Sequence, residues 1–209
     1  MNYGINHILQ GPFRSAREIV LASASPRRQM LLTSLGLDFQ VEPAEFIEPR
    51  QKFGQNPEEY ALALAREKCR LVAEKKSGAM VLGADTIVVL NEEIMGKPAS
   101  EEHALEMLTR LQGELHSVIT AVSIRCAEDD IERSFRIITR VKMAPADRDV
   151  LLAYISTGEP QDKAGAYAIQ GQGAFLVEEI IGSYTNVVGL PLSQVLRALL
   201  ELKAVRLSG

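Results

Sequence analysis

Apolar positions along the chain switch between the two-residue period of a strand and the three-to-four-residue period of a helix. Ile19–Ala22 is a continuous apolar run and predicts a short buried strand. Ser23, Ala24 and Ser25 follow as a tight loop, with Ser25 as helix N-cap and Pro26 at the first helical position. This helix is expected to bury Met30, Leu31 and Leu35 and to stop at Gly36. A second helix starts at Asn56 and Pro57, carries Glu58 and Glu59 in its first turn, and runs to about Lys76.

Met80–Leu90 is a long β-like run, and Asn91, Glu92 and Glu93 turn it into a short return strand ending at "GKP", residues 96–98. Ser100 caps a third helix that ends near Gly113. His116–Arg125 alternates like a half-buried strand, an acidic turn at Glu128, Asp129 and Asp130 follows, and Ser134–Met143 is a second β-branched run. Asp147–Ile155 reads as a helix, residues 156–184 as glycine-containing turns between short strands, and a last helix begins near Leu192. Strands and helices mix without strict alternation. The pattern predicts an α/β protein with a mixed sheet and a cleft where the glycine-rich segments converge.

Composition narrows the function classes. The chain has 209 residues, 46% apolar and 24% charged, enough for one sizeable core divided into two lobes. A formal net charge of -4 argues against nucleic acid held by bulk electrostatics, so phosphate recognition has to be local. Cys69 and Cys126 form no CxxC pair, and His7, His103 and His116 lack zinc-ligand spacing, which makes a reducing cytoplasm the simplest compartment. No apolar run reaches the roughly 18–20 residues that span a bilayer. Residues 1–18 lack the features of a signal peptide and read as an N-terminal extension before a single domain over 19–209.

Four features carry candidate chemistry. In "LASASPRR", residues 21–28, Arg27 and Arg28 fall in the first turn of a helix, where a cation is unfavourable by roughly 0.3–1 kcal/mol unless an anion sits nearby. The bland alternative is two exposed arginines paired with local acids. Asp85 interrupts the apolar run "VLGADTIVVL", and Gly83 and Ala84 beside it would let a ligand or backbone approach closely. A structural Asp bonded to backbone N–H groups is the competing reading. Lys68 shares a helical stripe with Ala61, Leu64, Ala65 and Val72, so it lies on the apolar face; snorkelling competes with an ammonium that reaches a phosphate. Lys97, Glu159, Asp162, Lys163 and Gln170 sit in glycine- and proline-bounded turns, where side chains and N–H groups are available for binding. No P-loop, GxGxxG or GxSxG motif is present.

In order, "LASASPRR", "LAREK" (64–68), "GADTIV" (83–88), "GKP", "STGEPQDKAGAYAIQG" (156–171) and "GSYTNVVGLPL" (182–192) resemble the Maf family of nucleoside triphosphate pyrophosphatases. The resemblance covers about residues 19–202. It implies two α/β lobes around a deep cleft, a fold related to inosine triphosphatases, and often a homodimer. It also implies hydrolysis of a nucleoside triphosphate to the monophosphate and diphosphate with a divalent metal, Mg²⁺ or Mn²⁺, and a link to septum formation. Arg27, Thr86 and Gln170 match the branch that acts on dTTP and UTP. The sequence departs from the family at Ala168, where glycine is usual, and in its N-terminal extension.

On this resemblance Asp85 is the proton acceptor that activates water for attack on the α-phosphorus. Ser23, Ser25, Arg28, Lys68 and Lys97 would hold the phosphates, and Glu48 would join Asp85 in binding metal or water. Arg27, Thr86 and Gln170 would set base choice. A non-catalytic nucleotide sensor acting on division proteins is the alternative from another class, and a pyrophosphatase for modified nucleotides is the alternative within the enzyme class.

Overall fold

The computed structural model describes residues 11–49 and 54–208. Its main sheet has the order β3-β2-β4-β6-β7-β8, built from β2 (Ile19–Leu21), β3 (Gln40–Val41), β4 (Met80–Leu90), β6 (Leu115–Cys126), β7 (Ile131–Met143) and β8 (Val177–Ile181). The short strand β5 (Glu93–Met95) also pairs with β4. Strand β2 runs parallel to β3 and β4, and the other pairings are antiparallel, so the sheet is mixed as expected. Six α-helices are described: α1 (Pro26–Thr33), α2 (Pro57–Ala73), α3 (Glu101–Leu111), α4 (Arg148–Ile155), α5 (Tyr184–Val188) and α6 (Leu192–Glu201).

Side chains alternate across a strand, and this divides β4 and β6 into two faces. The odd-numbered residues Val81, Ile87, Ile119 and Ala121 pack under α2. On the other face, Met80, Leu82, Ala84, Val122 and Ile124 join α1 and α6 in one apolar cluster. Val88, Leu90 and Val118 join α3 and α4 in a second. Between these clusters lie the cross-strand partners Thr86 and Thr120. The two lobes are thus two cores on one continuous sheet, separated by a polar pair.

Three local expectations need correction. Met30 is 52% exposed and Leu32 is buried in its place. Leu32 lies one turn after Arg28 on the core-facing stripe, with Met30 on the opposite side of the helix. Residues 156–184 hold 3₁₀ turns at Glu159–Asp162, Ala164–Ala166 and Gln172–Leu176, the strand β8 and the start of α5, rather than a series of short strands. Gly158, Gly165 and Gly171 all have positive φ, which bends the chain out of any ladder.

The extension is the third case. Residues 1–10 of it lie outside the described residues, but Phe13–Ser15 forms a strand, β1, before the strand expected to be first. It pairs antiparallel with β9 (Val205–Leu207) near the end of the chain. Phe13 packs on the first apolar cluster, and Ser208 Oγ donates to the Gly11 carbonyl at 2.7 Å.

Candidate active site

Strand β4 has one edge paired to β6 from Val81 to Val89. Its other edge is shared, with β2 opposite residues 80–82 and β5 opposite residues 88–90. Residues 83–87 therefore face a gap between two strands, and the cleft opens there. It has a volume of about 750 Å³, within the usual range for a small-molecule site. The ten residues given roles on the resemblance all line it (Ser23, Ser25, Arg27, Arg28, Glu48, Lys68, Asp85, Thr86, Lys97 and Gln170), whereas Glu159, also singled out from the sequence, does not.

On the α2 side of the sheet the decisive residue is Gly83. A Cβ there would stand 2.6 Å from the Ala65 carbonyl oxygen and 2.8 Å from both Cys69 N and Cys69 Cβ. Only glycine lets the α2 backbone come this close, and the approach seats Lys68 over Asp85 two residues on. Lys68 Nζ donates to Asp85 Oδ1 at 2.6 Å and lies 2.8 Å from Glu48 Oε1. Lys68 does not snorkel; its ammonium is held between two carboxylates. Asp85 is buried, and its partner is a cation rather than the backbone N–H groups of a structural Asp. Burial pushes the Glu48 carboxyl up, but Lys68, with Lys97 and Arg28 farther off, outweighs it and holds Glu48 below its ordinary value.

On the opposite face Arg28 is fixed at three points. Its Nε donates to the Gly189 carbonyl at 2.9 Å, Nη1 to Ser23 Oγ at 3.1 Å and Nη2 to Thr86 Oγ1 at 3.0 Å. It is neither exposed nor paired with a local acid. Burial pulls the guanidinium below its ordinary value, Asp85 and Glu48 oppose that, and Arg27 adds to it. Thr86 is occupied as well, since Arg28 donates to its hydroxyl oxygen and Thr120 Oγ1 lies 3.0 Å away. Ser25 takes the N-cap position of α1 with no side-chain bond to the helix, and its N–H donates to Ser23 Oγ at 3.3 Å.

The remaining wall comes from the glycine-rich segments. The Glu159 carboxylate accepts from the N–H groups of Gln172 and Gly173 at 3.1 and 2.8 Å, which folds the turn behind Gln170. The Gln170 side chain has a buried amide oxygen without a partner. Lys163 pairs with Asp162, and Arg27 helps hold the Asp162 carboxyl below its ordinary value, although burial pushes the other way.

The Maf-like protein family model matches residues 18–202. The chain belongs to the Maf family. A dTTP/UTP pyrophosphatase of Nitratidesulfovibrio vulgaris is 46% identical over 195 residues, covering 93% of this chain and 92% of that protein. One from Oleidesulfovibrio alaskensis is 47% identical over 193 residues, 91% of this chain and 88% of that protein. A third, from Geobacter sulfurreducens, is 46% identical over 188 residues, 90% and 97% respectively.

The β1–β9 pair lies outside the span of the Maf match, and the cleft lies wholly inside it. Tyr60, Asp162, Lys163 and Gly189 also line the Maf cleft. Tyr60 could have been found from its spacing, because Tyr60, Leu64 and Lys68 recur every four residues on one stripe of α2. Its hydroxyl donates to the Pro49 carbonyl at 3.0 Å and so tethers the segment that carries Glu48. Among the described residues no group of three His, Cys, Asp or Glu side chains could cage a metal. Two carboxylates, Glu48 and Asp85, converge on the Lys68 ammonium. That donor set fits Mg²⁺ or Mn²⁺, which are held by one or two carboxylates together with substrate phosphates.

Proposed function

We propose that the protein hydrolyses dTTP and UTP to the nucleoside monophosphate and diphosphate. The observation that carries this reading is the Asp85–Lys68–Glu48 group at the cleft, with a fixed guanidinium on the opposite face of the same strand. The 46–47% identical relatives named dTTP/UTP pyrophosphatase support the substrate class.

Asp85 accepts the proton of a water molecule whose oxygen attacks the α-phosphorus. The bond from that phosphorus to the bridging oxygen of the β-phosphate breaks, and diphosphate leaves with the electron pair. Arg28, Lys68 and Lys97 oppose the negative charge of the triphosphate, and Ser23 and Ser25 supply hydroxyl donors. Glu48 and Asp85 are the residues that would hold a divalent cation, which would add charge neutralisation when bound. Gln170 offers both a donor and an acceptor to a pyrimidine edge, and Arg27 lines the same cleft. Thr86 contributes through Arg28 in the present arrangement, since Arg28 and Thr120 occupy its hydroxyl.

Modified pyrimidine triphosphates fall within the same proposal, as does a homodimer in the cytoplasm with neither nucleic acid nor membrane as partner. The net charge of -4 supports the absence of nucleic acid. No described helix is long and apolar enough to cross a membrane. An influence on septum formation would follow from changed nucleotide pools.

The test is diphosphate release from canonical and modified triphosphates with Mg²⁺ and with Mn²⁺. Turnover of dTTP and UTP above the purine nucleotides is expected. Binding without turnover would favour the nucleotide-sensor alternative. If an Asp85→Asn variant without turnover still arrested division, the effect on septum formation would not come from hydrolysis.

A further inference from the structure

Thr120 is fully buried on β6, directly across from Thr86, in the polar seam between the two cores. Its Oγ1 donates to the Asn186 carbonyl at 2.9 Å. A hydroxyl has one proton, so toward Thr86 Oγ1, 3.0 Å away, Thr120 can only accept. The Thr86 hydroxyl therefore donates to Thr120 and turns its lone pair to Arg28 Nη2, 3.0 Å away. The Asn186 carbonyl also accepts from the Gly189 N–H at 3.0 Å, and the Gly189 carbonyl accepts from Arg28 Nε at 2.9 Å. The bonds close into a ring: Arg28, Thr86, Thr120, Asn186, Gly189 and back to Arg28.

The ring is rigid at the Asn186 side too. Asn186 Nδ2 donates to the Val118 carbonyl at 3.1 Å and to Thr139 Oγ1 at 3.0 Å, and its N–H donates to Ser183 Oγ at 3.2 Å. Within the ring, Thr120 links Thr86, which holds Nη2, to the Asn186–Gly189 turn, which holds Nε. We propose that Thr120 is a positioning residue: by setting the direction of the Thr86 hydroxyl and anchoring the Asn186–Gly189 turn, it holds the Arg28 guanidinium in the orientation that receives the triphosphate. This rests on the reading of Arg28 as a phosphate-binding cation. Thr120 touches no substrate, so its influence passes entirely through Arg28.

Thr120→Val removes the hydroxyl and keeps the side-chain shape. With UTP, KM rises roughly tenfold while kcat stays within about twofold, because a charge-assisted hydrogen bond loosens in the substrate-binding step. Thr120→Ser restores both constants. In an Arg28→Lys background Thr120→Val has no further effect on KM, since coupled residues do not add. An equal loss in both backgrounds, or a serine variant as impaired as the valine one, overturns the proposal.

A second measurement reads the ring without turnover: hydrogen exchange of the Arg28 Nε–H, followed by nitrogen-15 NMR in the ligand-free protein. Exchange is expected to quicken on the order of tenfold in Thr120→Val and Thr120→Ala, with Thr120→Ser like the wild type. If Thr120→Val does not fold, Thr120→Ala and Thr120→Ser carry the same comparison. Unchanged exchange in a folded variant lacking the hydroxyl overturns the proposal. If wild-type protein hydrolyses no triphosphate yet exchange responds to Thr120, the pyrophosphatase reading fails and the positioning of Arg28 stands.

Discussion

Gly83→Ala tests how the fold builds the site. The added Cβ would lie 2.6 Å from the Ala65 carbonyl oxygen, whereas ordinary contact begins at 3.4 Å, so α2 has to retreat by about 0.8 Å. The obstacles at Ala65 O and Cys69 N are backbone atoms, which no rotamer change can move. Overpacking of this kind costs about 1–3 kcal/mol. For a chain of this size that lowers the melting temperature by roughly 2–4 °C per kcal/mol. The same retreat draws Lys68 Nζ away from Asp85, now 2.6 Å distant, and weakens the ion pair over the carboxylate proposed as proton acceptor. Calorimetry and steady-state UTP hydrolysis on one preparation read both effects. The expected result is a lower melting temperature together with a kcat reduced by about tenfold or more. Gly96→Ala is the control for stability, because its Cβ would meet nothing within 4 Å. A Gly83→Ala protein with wild-type stability and wild-type kcat would refute the idea that this glycine seats Lys68.

Other perturbations follow from the same geometry. Gln170→Glu replaces the amide that offers both donor and acceptor, and loss of dTTP and UTP turnover is expected; an unchanged nucleotide preference would remove Gln170 from base recognition. His116 is buried with Nε2 2.7 Å from the Tyr167 hydroxyl, and burial pulls its pKa down to about 4. The unfolded chain binds this proton below about pH 6.5 and the folded protein only below about 4, so stability falls as pH falls through that window, by on the order of 3 kcal/mol in all. Urea titrations across it should show a shallower pH slope in His116→Gln, and an identical slope would exclude the histidine as the cause. Chelation of divalent cations should abolish diphosphate release and re-addition of Mg²⁺ or Mn²⁺ should restore it; activity that survives exhaustive chelation would count against a metal held by Glu48 and Asp85.

Much of the site was legible because its residues break local rules. Asp85 stands in an apolar run, Lys68 on an apolar helix stripe and Arg28 at the positive end of a helix, and each finds a specific polar partner in the structure. Long elements were legible from period and caps. Met80–Leu90 is β4 residue for residue, and Asn56 and Ser100 cap α2 and α3 with side-chain bonds. What stayed hidden depends on long-range pairing. Strands β1 and β9 have three residues each and gain their form only from each other. Thr120 reads as one more β-branched residue in a strand, and its role exists only because Thr86, Asn186 and Gly189 meet around it. The helix α5 was missed although Ser183 caps it through the Asn186 N–H, a signal present in "SYTN".

The central claim is attack by water on the α-phosphorus with Asp85 as proton acceptor. Hydrolysis of UTP in oxygen-18-labelled water tests it most directly, with wild-type protein and Asp85→Asn side by side. The label is expected in the uridine monophosphate, with unlabelled diphosphate and no turnover by the variant. Label in the diphosphate, release of single phosphates, or turnover by Asp85→Asn near the wild-type rate would contradict it.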